Sequence, residues 1–230
     1  MKRVAIVQSN YIPWKGYFDL IAAVDEFVLY DDVQFTQQDW RNRNLIKTPK
    51  GTRWLTVPVP KKSRIQRTIR DTPIQSGTDW CRDHWASLQG NYRQAECFAE
   101  IAEIIEPLYR CPYADLSTVN ETFIRAICEF LGIGTKLSSS SDYRLDGDRT
   151  ERLVGICTQT KADVYVSGPA AKDYLDEVSF AAEGIGVEWY DYSCYPSYPQ
   201  MWGEFVHGVS VLDLLFNCGK EAPRYMKLAD

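Results

Sequence analysis

The chain has 230 residues, of which 45% are hydrophobic and 25% charged, and its formal net charge is −5 at pH 7. This length and apolar content suffice for one domain with a full core. The negative charge argues against DNA as a partner, because binding a phosphate backbone requires a basic surface. No apolar run approaches the roughly 20 residues of a membrane span. The apolar run after the basic start ends at Gln8, too early for a signal peptide. We therefore expect a cytoplasmic protein without a membrane span.

Residue types that bind metals are sparse in this chain. It contains seven cysteines and two histidines. No two cysteines have the CxxC spacing of a structural zinc site, so we expect no metal. The cysteines are scattered through helix-like segments, which is typical of reduced and mostly buried thiols.

The first 35 residues have the pattern of a βαβ unit. A short apolar run stops at Gln8, a turn with proline and glycine leads into a helix-like segment, and a second apolar run stops at Asp31 and Asp32. In open α/β sheets, ligands bind at the carboxyl ends of strands, beside helix N-termini. We therefore expect Gln8, Asn10, Asp31 and Asp32 at a ligand-binding edge. The alternative for Asn10 and Asp31 is a capping or turn role. Adjacent carboxylates on a strand end point in opposite directions, so only one of the aspartates would serve a given ligand.

The middle of the chain combines a hairpin with helices. Residues 44–47 and 53–59 flank a turn with proline and glycine and predict a β-hairpin. Residues 64–70 alternate apolar and polar side chains, as a further strand would. Basic residues at 61–64 are either a solvated face or a contact for phosphate or a carrier protein. Asp79 is a predicted N-cap, and two further amphipathic helices follow the helix that it would begin.

Strand and helix patterns alternate again in the last third of the chain. Residues 135–138, 163–166 and 187–190 predict strands, and residues 150–159 predict a helix. Ser210 opens a terminal helix with a capping-box-like pattern. This alternation indicates parallel strands connected by helices.

We predict an α/β fold with a mostly parallel, Rossmann-like sheet, a β-hairpin and a helical insertion. A single domain would span residues 1–230, with sheet-forming parts at 1–60 and 135–220 and the helical insertion at 78–131. The strand end Ser167-Gly168 would face a ligand, because glycine permits close approach of the backbone.

Six blocks of sequence stand out along nearly the whole chain. They are Gln8-Ser-Asn-Tyr-Ile-Pro-Trp-Lys-Gly-Tyr17, Phe27-Val-Leu-Tyr-Asp-Asp-Val-Gln-Phe35, Arg41-Asn-Arg-Asn44, Trp54-Leu-Thr-Val-Pro-Val59, Ser167-Gly168 followed by Tyr174-Leu175, and Ser210-Val-Leu-Asp-Leu-Leu-Phe-Asn217 with Gly219. In this order they closely resemble the WbqC-like family, which is associated with gene clusters for O-antigens and other surface polysaccharides. The resemblance implies a role in making or modifying an unusual, amino-substituted sugar, and it leaves the reaction open.

The turn after the first strand has the position, but not the residues, of a known catalytic motif. Trp14-Lys15-Gly16-Tyr17 stands where nucleotidyl transferases of the HxGH type place two histidines. Trp14 and Tyr17 cannot stabilise a triphosphate transition state as imidazoles do, so the analogy concerns fold rather than function. Gly16 alternatively allows the helix start to pack tightly.

The scarcity of histidine narrows the choice of a general base near neutral pH. We assign to His84 the deprotonation of a sugar amine. The alternatives are a core or capping histidine, or an activating partner for a nucleophilic Cys81 one helical turn away. His207 is either structural or a ligand contact. Arg41 and Arg43 supply forks of donors for phosphate or carboxylate, unless they are solvated loop charges.

These predictions combine in one hypothesis, a cytoplasmic transferase that moves an acyl or aminoacyl group to the nitrogen of a nucleotide-linked amino sugar. Catalysis is assigned to His84 and Asp31. Substrate binding is assigned to Gln8, Asn10, Tyr11, Trp14, Tyr17, Asp32, Arg41, Asn42, Arg43, Ser167, Gly168 and His207. The donor stays open between coenzyme A, a carrier protein and an aminoacyl donor. The alternatives are an adenylate-forming ligase or nucleotidyl transferase, and a non-catalytic partner of a pathway enzyme.

Overall fold

A computed structural model describes residues 1–60 and 67–228. Its centre is a five-stranded parallel sheet, and a two-stranded antiparallel hairpin is separate from it. The strands are β1 (Arg3–Val7), β2 (Glu26–Leu29), β3 (Arg43–Thr48), β4 (Gly51–Thr56), β5 (Lys136–Ser139), β6 (Val164–Ser167) and β7 (Gly186–Trp189). The helices are α1 (Lys15–Ala22), α2 (Trp80–Tyr92), α3 (Phe98–Leu108), α4 (Leu116–Phe130), α5 (Arg149–Thr160), α6 (Glu177–Ala182) and α7 (Val211–Cys218). This architecture confirms the predicted fold class.

The order of strands in the sheet is β5-β2-β1-β6-β7. In chain order, β2 and then β5 lie on one side of β1, and β6 and then β7 lie on its other side. Parallel pairing joins β1 to β2 from Val4↔Glu26 to Val7↔Leu29, and joins β1 to β6 at Arg3↔Val164. The order therefore reverses between β1 and β6. Open parallel sheets leave a crevice at the carboxyl ends of the strands at such a point.

The central sheet is buried on both faces, which explains why its strands read as continuous apolar runs. Val4 and Ile6 belong to a cluster with helices α5 and α6, in which Tyr165 stacks on Phe180 with ring centres 5.0 Å apart. Ala5 lies between them in sequence and belongs to the larger cluster, which includes residues of α1, α2, α3, α4 and α7. This division follows from the alternation of side chains along a strand.

Two predicted helix starts differ from expectation in their contacts. Asp79 stands at the N-cap of α2, but its side chain makes no capping bond and instead pairs with Arg82 at 2.6 Å. Ser210 does cap α7, accepting from the Leu212 amide. The predicted capping box is nevertheless wrong, because the Asp213 carboxylate bonds two buried tyrosine hydroxyls instead of the N-cap amide.

Part of one predicted strand lies outside the described residues, as does the basic stretch at 61–64. Of the predicted strand at 64–70, the described end includes Thr68, which forms an isolated bridge with Gln34. Among the helices of the described residues, none is both long and apolar enough to cross a membrane.

Candidate functional site

A cleft of about 800 Å³ opens at the carboxyl ends of β1, β2 and β6, where the strand order reverses. The N-terminal turn of α5 and the segment after β6 complete its walls. Its polar and aromatic lining consists of Gln8, Tyr30, Asp32, Gln34, Arg41, Asp148, Arg149, Arg152, Tyr165, Ser167 and Tyr174, with Gly168 among the small residues. Five residues predicted to bind substrate therefore line one cleft, namely Gln8, Asp32, Arg41, Ser167 and Gly168.

Three arginines bring positive charge to this cleft. Arg149 lies over the ring of Tyr174, with its guanidinium carbon 3.6 Å from the ring centre. Arg152 donates to the Gly147 carbonyl at 3.0 Å. Arg41 donates to the Asn10 side chain. Within residues 1–60 and 67–228, neither Arg149 nor Arg152 forms an ion pair with a carboxylate, so both guanidinium charges are available to an anionic ligand.

The N-terminus of α5 is closed to an anion by its own capping groups. The Asp148 carboxylate accepts from the amides of Thr150 and Glu151 at 2.8 and 3.0 Å. Glu151 in turn accepts from the Asp148 amide at 2.7 Å. Because these caps satisfy backbone donors of the first turn, an anion in the cleft would rely on the arginine side chains and not on the helix terminus.

The two aspartates after β2 have different environments, as their alternation on the strand end requires. Asp31 is 1% exposed and accepts from the amide and hydroxyl of Ser9 at 2.9 and 2.8 Å, and from Ser117. Burial raises the pKa of Asp31, and these hydrogen bonds only partly oppose it. Asp32 lines the cleft and accepts two bonds of 3.0 Å from Arg70. Burial raises the pKa of Asp32, but the bonds from Arg70 and Ser140 outweigh it and lower the pKa.

Asn120 links the buried aspartate to the cleft, and the sequence analysis missed it. Its amide nitrogen donates to the Ser9 hydroxyl and to the Arg41 carbonyl, both at 2.9 Å. Ser9 is in turn hydrogen-bonded to Asp31. The buried Asn120 side chain of α4 therefore connects the Arg41 loop with the ends of β1 and β2. A polar residue beside Val119 on the apolar face of α4 is the sequence signal that could have identified it.

His84 lies in a buried aromatic cluster and not among the residues that line the cleft. Its Nδ1 is 2.9 Å from the Tyr11 hydroxyl, which is 2.6 Å from the Tyr109 hydroxyl. Burial lowers the pKa of His84 to about 4. The ring is therefore buried, neutral near pH 7 and engaged at Nδ1 inside the protein. Its role as a general base stays a prediction, and this geometry does not support it.

The turn that resembles the HxGH position is packed against the C-terminal part of the chain. Trp14 contacts the rings of Tyr192 and Tyr195, with ring centres 5.5 and 5.4 Å apart. Lys15 is 2% exposed and donates to two backbone carbonyls, at 3.0 and 2.7 Å. The Tyr17 hydroxyl donates to the Gln8 carbonyl at 3.0 Å.

The remaining candidates lie apart from the cleft lining. Asn42 is buried and donates to the Val57 carbonyl at 2.9 Å. Arg43 stacks on the exposed Trp54, with its guanidinium carbon 4.1 Å from the ring centre. His207 is exposed and contacts Phe205 edge to face. Their assignment to substrate binding stays a prediction.

Comparison with known proteins covers nearly the whole chain. No solved structure matches it. A protein of Mycobacterium tuberculosis (strain ATCC 25618 / H37Rv), described as uncharacterized, is 54% identical over 228 residues, which are 99% of this chain and 98% of that protein. The sequence profile of the WbqC-like protein family matches residues 8–225, which include the strand ends that line the cleft. As its sequence blocks predicted, the chain belongs to the WbqC-like protein family.

Proposed function

We propose that this protein is a cytoplasmic transferase of O-antigen or related surface-polysaccharide biosynthesis that binds a nucleotide-linked amino sugar in the cleft. The observation that carries the proposal is the pair of arginines, Arg149 and Arg152, that face the cleft without a carboxylate partner within the described residues. Guanidinium groups match phosphate oxygens in geometry and charge. A diphosphate would supply an anionic partner for these two guanidinium groups.

Other residues that line the cleft suit a sugar. Gln8, Gln34 and Ser167 supply amide and hydroxyl groups that can donate and accept hydrogen bonds. Gly168 permits close approach of the backbone at the end of β6. A cleft of about 800 Å³ is within the usual range for small-molecule sites. A phosphate-bearing sugar matches these groups and the arginines better than a purely apolar or a cationic ligand does.

The proposed reaction is acyl or aminoacyl transfer to the sugar nitrogen. The amine nitrogen attacks the carbonyl carbon of the donor, an amide C–N bond forms, and the bond from that carbon to the leaving group breaks. The leaving group departs with the bonding electron pair, and the proton lost by the nitrogen neutralises it. The family's association with amino sugars supports this choice of nucleophile, and the donor is coenzyme A, a carrier protein or an aminoacyl donor.

Binding can be tested by isothermal titration with UDP-, GDP-, CMP- and dTDP-linked sugars. We expect at least one to bind, and Arg149→Gln to weaken its affinity by roughly 10- to 150-fold, the equivalent of about 1.5–3 kcal/mol for a charged hydrogen bond. Arg144→Gln is the matched control, because Arg144 precedes the same helix but does not line this cleft. Absence of binding by every sugar nucleotide, with clear binding of a pathway protein, would favour the non-catalytic partner.

The alternative function, an adenylate-forming ligase, predicts a different reaction. It should convert ATP to AMP and pyrophosphate when a suitable acid is supplied. We expect no such turnover, because Lys15 in the turn is engaged by two backbone carbonyls and the turn lacks both histidines. Pyrophosphate release that depends on an added acid would replace the transferase proposal with the ligase.

A further inference from the structure

Two tryptophans stand side by side on the surface next to the cleft. Trp40 and Trp54 are 43% and 39% exposed, and their ring centres are 5.3 Å apart. Arg43 lies on the Trp54 ring at 4.1 Å. Trp40, Trp54 and Arg43 are called the hairpin platform below, because Arg43 and Trp54 belong to the β3–β4 hairpin. Aromatic rings that are exposed in this way can stack with the flat face of a ligand.

The platform is fixed in position and adjoins the cleft. The Trp40 carbonyl accepts from the Tyr11 amide at 3.0 Å, and Trp54 lies opposite Leu45 in the hairpin register. Trp40 directly precedes Arg41, which lines the cleft. Consecutive Cα atoms are about 3.8 Å apart, so the backbone that carries Trp40 continues directly into a residue of the cleft wall.

The positive charge and the small exposed area of the platform indicate which kind of ligand it binds. Within the described residues, Arg43 has no ion pair with a carboxylate, so the platform combines two aromatic rings, inclined at 47° to each other, with an available positive charge. A neutral sugar ring would leave that charge unused. A carrier protein would need an interface of about 1,000 Å² or more, which two half-exposed indoles do not provide. A nucleobase with attached phosphate uses both features, since bases stack on aromatic rings and arginine binds phosphate.

We infer that the hairpin platform binds the adenine-nucleotide end of the acyl donor, and that coenzyme A is the donor class it fits. This inference rests on the proposed function, because it supplies the second substrate of that transfer. Adenine would stack on the ring of Trp54 beside the inclined ring of Trp40, and Arg43 would contact a phosphate. The arm that carries the acyl group would then extend past Arg41 toward the amino sugar.

The inference is tested by isothermal titration of the whole protein with coenzyme A, with pantetheine, which lacks the nucleotide, and with ATP. We expect coenzyme A to bind and pantetheine to bind far more weakly. Trp54→Ala should weaken coenzyme A by roughly 5- to 150-fold, the equivalent of about 1–3 kcal/mol for one stacked base. Trp54→Phe should retain most of the affinity. Trp189→Ala is the matched control, since Trp189 is a half-buried indole near a cation, Lys172 at 5.6 Å, but belongs to the edge strand β7 and not to the hairpin.

The sugar nucleotide is titrated separately into the same variants. Trp54→Ala should leave its affinity unchanged, and coenzyme A and the sugar nucleotide should bind at the same time. If the wild-type protein binds the sugar nucleotide but not coenzyme A, the platform inference fails and the proposed function stands. Equal binding of pantetheine, an unaffected Trp54→Ala variant, competition between the two ligands, or binding of ATP in place of coenzyme A would each overturn the inference. If no sugar nucleotide binds, the proposed function fails first.

Discussion

The Tyr11 hydroxyl lies 2.9 Å from Nδ1 of His84, and the two side chains are buried together between the β1–α1 turn and helix α2. The short contact of 2.6 Å between the hydroxyls of Tyr109 and Tyr11 extends this bond into a chain. Burial lowers the pKa of His84 to about 4, so its ring is neutral near pH 7 and shares a neutral hydrogen bond with Tyr11. These contacts join the β1–α1 turn, helix α2 and the C-terminal end of helix α3 through buried polar side chains.

The first prediction is that His84→Ala destabilises the protein. It removes a hydrogen-bond partner of the buried Tyr11 hydroxyl, and an unsatisfied buried polar group costs about 1–3 kcal/mol before the loss of packing is added. Thermal denaturation should show a lower midpoint, by roughly 2–4 °C for each kcal/mol in a chain of this size. His207→Ala is the control and should change the midpoint little, since His207 is exposed.

The same variant decides the catalytic assignment. If His84 is a general base, His84→Ala should fold normally and lose roughly 10²- to 10⁴-fold in turnover. Full stability together with that loss would contradict the structural role and restore the catalytic one. Reduced stability with turnover retained per folded molecule would assign His84 to the core.

The second prediction concerns Asn120. Replacing it by alanine leaves the buried Arg41 carbonyl and the Ser9 hydroxyl without a donor. We expect a loss of about 1–3 kcal/mol in the free energy of unfolding and weaker binding of the sugar nucleotide, because Arg41 is no longer held at the cleft. Asn91→Ala is the matched control, since Asn91 bonds a carbonyl of its own helix and alanine suits a helix interior. Equal effects of both changes on affinity would remove the special role of Asn120.

The strand-end part of the site could be predicted from the sequence, and the helix part could not. Gln8, Asp32 and Ser167 follow apolar runs, and parallel strands bring their carboxyl ends to one edge whatever their order. Arg149 and Arg152 reach the same cleft only because β6 lies beside β1, and strand order does not follow from local pattern. The local pattern predicts only that residues 150–159 form a helix and carries no information about which cleft the start of that helix lines.

His84 shows a different limit of the sequence. Its assignment came from the scarcity of histidine, and scarcity carries no information about burial. Its helix α2 does present His84, Trp85 and Leu88 on one buried face. That helical spacing is visible in the sequence and indicates a core position for His84.

The third prediction is a pH dependence of stability from Glu26. This side chain is 1% exposed and accepts from Lys2 at 2.8 Å, Lys136 at 2.9 Å and Ser138 at 2.9 Å. Burial alone would raise the pKa of Glu26, but these hydrogen bonds, with that from Tyr143, outweigh it and lower the pKa to about 2. A folded-state pKa below the unfolded value means that the ionised group favours folding above pH 4.5, and that this contribution is lost as the pH falls toward 2.

Glu26→Gln should therefore lower the free energy of unfolding at pH 7 by about 1.5–3 kcal/mol, the usual contribution of hydrogen bonds to a charged group. The difference from wild type should shrink as the pH falls from 4.5 toward 2, measured by urea denaturation at each pH. Glu188→Gln is the control, because Glu188 pairs with Arg3 on the surface and such pairs contribute little. A difference that is independent of pH would show that the charge of Glu26 is not what stabilises the fold.

The last prediction compares two glycines in helices. A Cβ on Gly16, the second residue of α1, would lie 2.6 Å from Cη2 and 2.8 Å from Cε2 of Trp14, well inside contact distance. Trp14 cannot easily move, because its ring packs against Tyr192 and Tyr195. Gly16→Ala should therefore destabilise by about 1–3 kcal/mol, as overpacking does. Gly155 lies inside α5 with open space at its Cβ position, so Gly155→Ala should stabilise by about 0.5–1 kcal/mol through helix propensity. Opposite signs for the two substitutions in urea denaturation are the expected result. A stabilising Gly16→Ala would mean that the indole has room to shift, and that tight packing is not the reason for glycine in this turn.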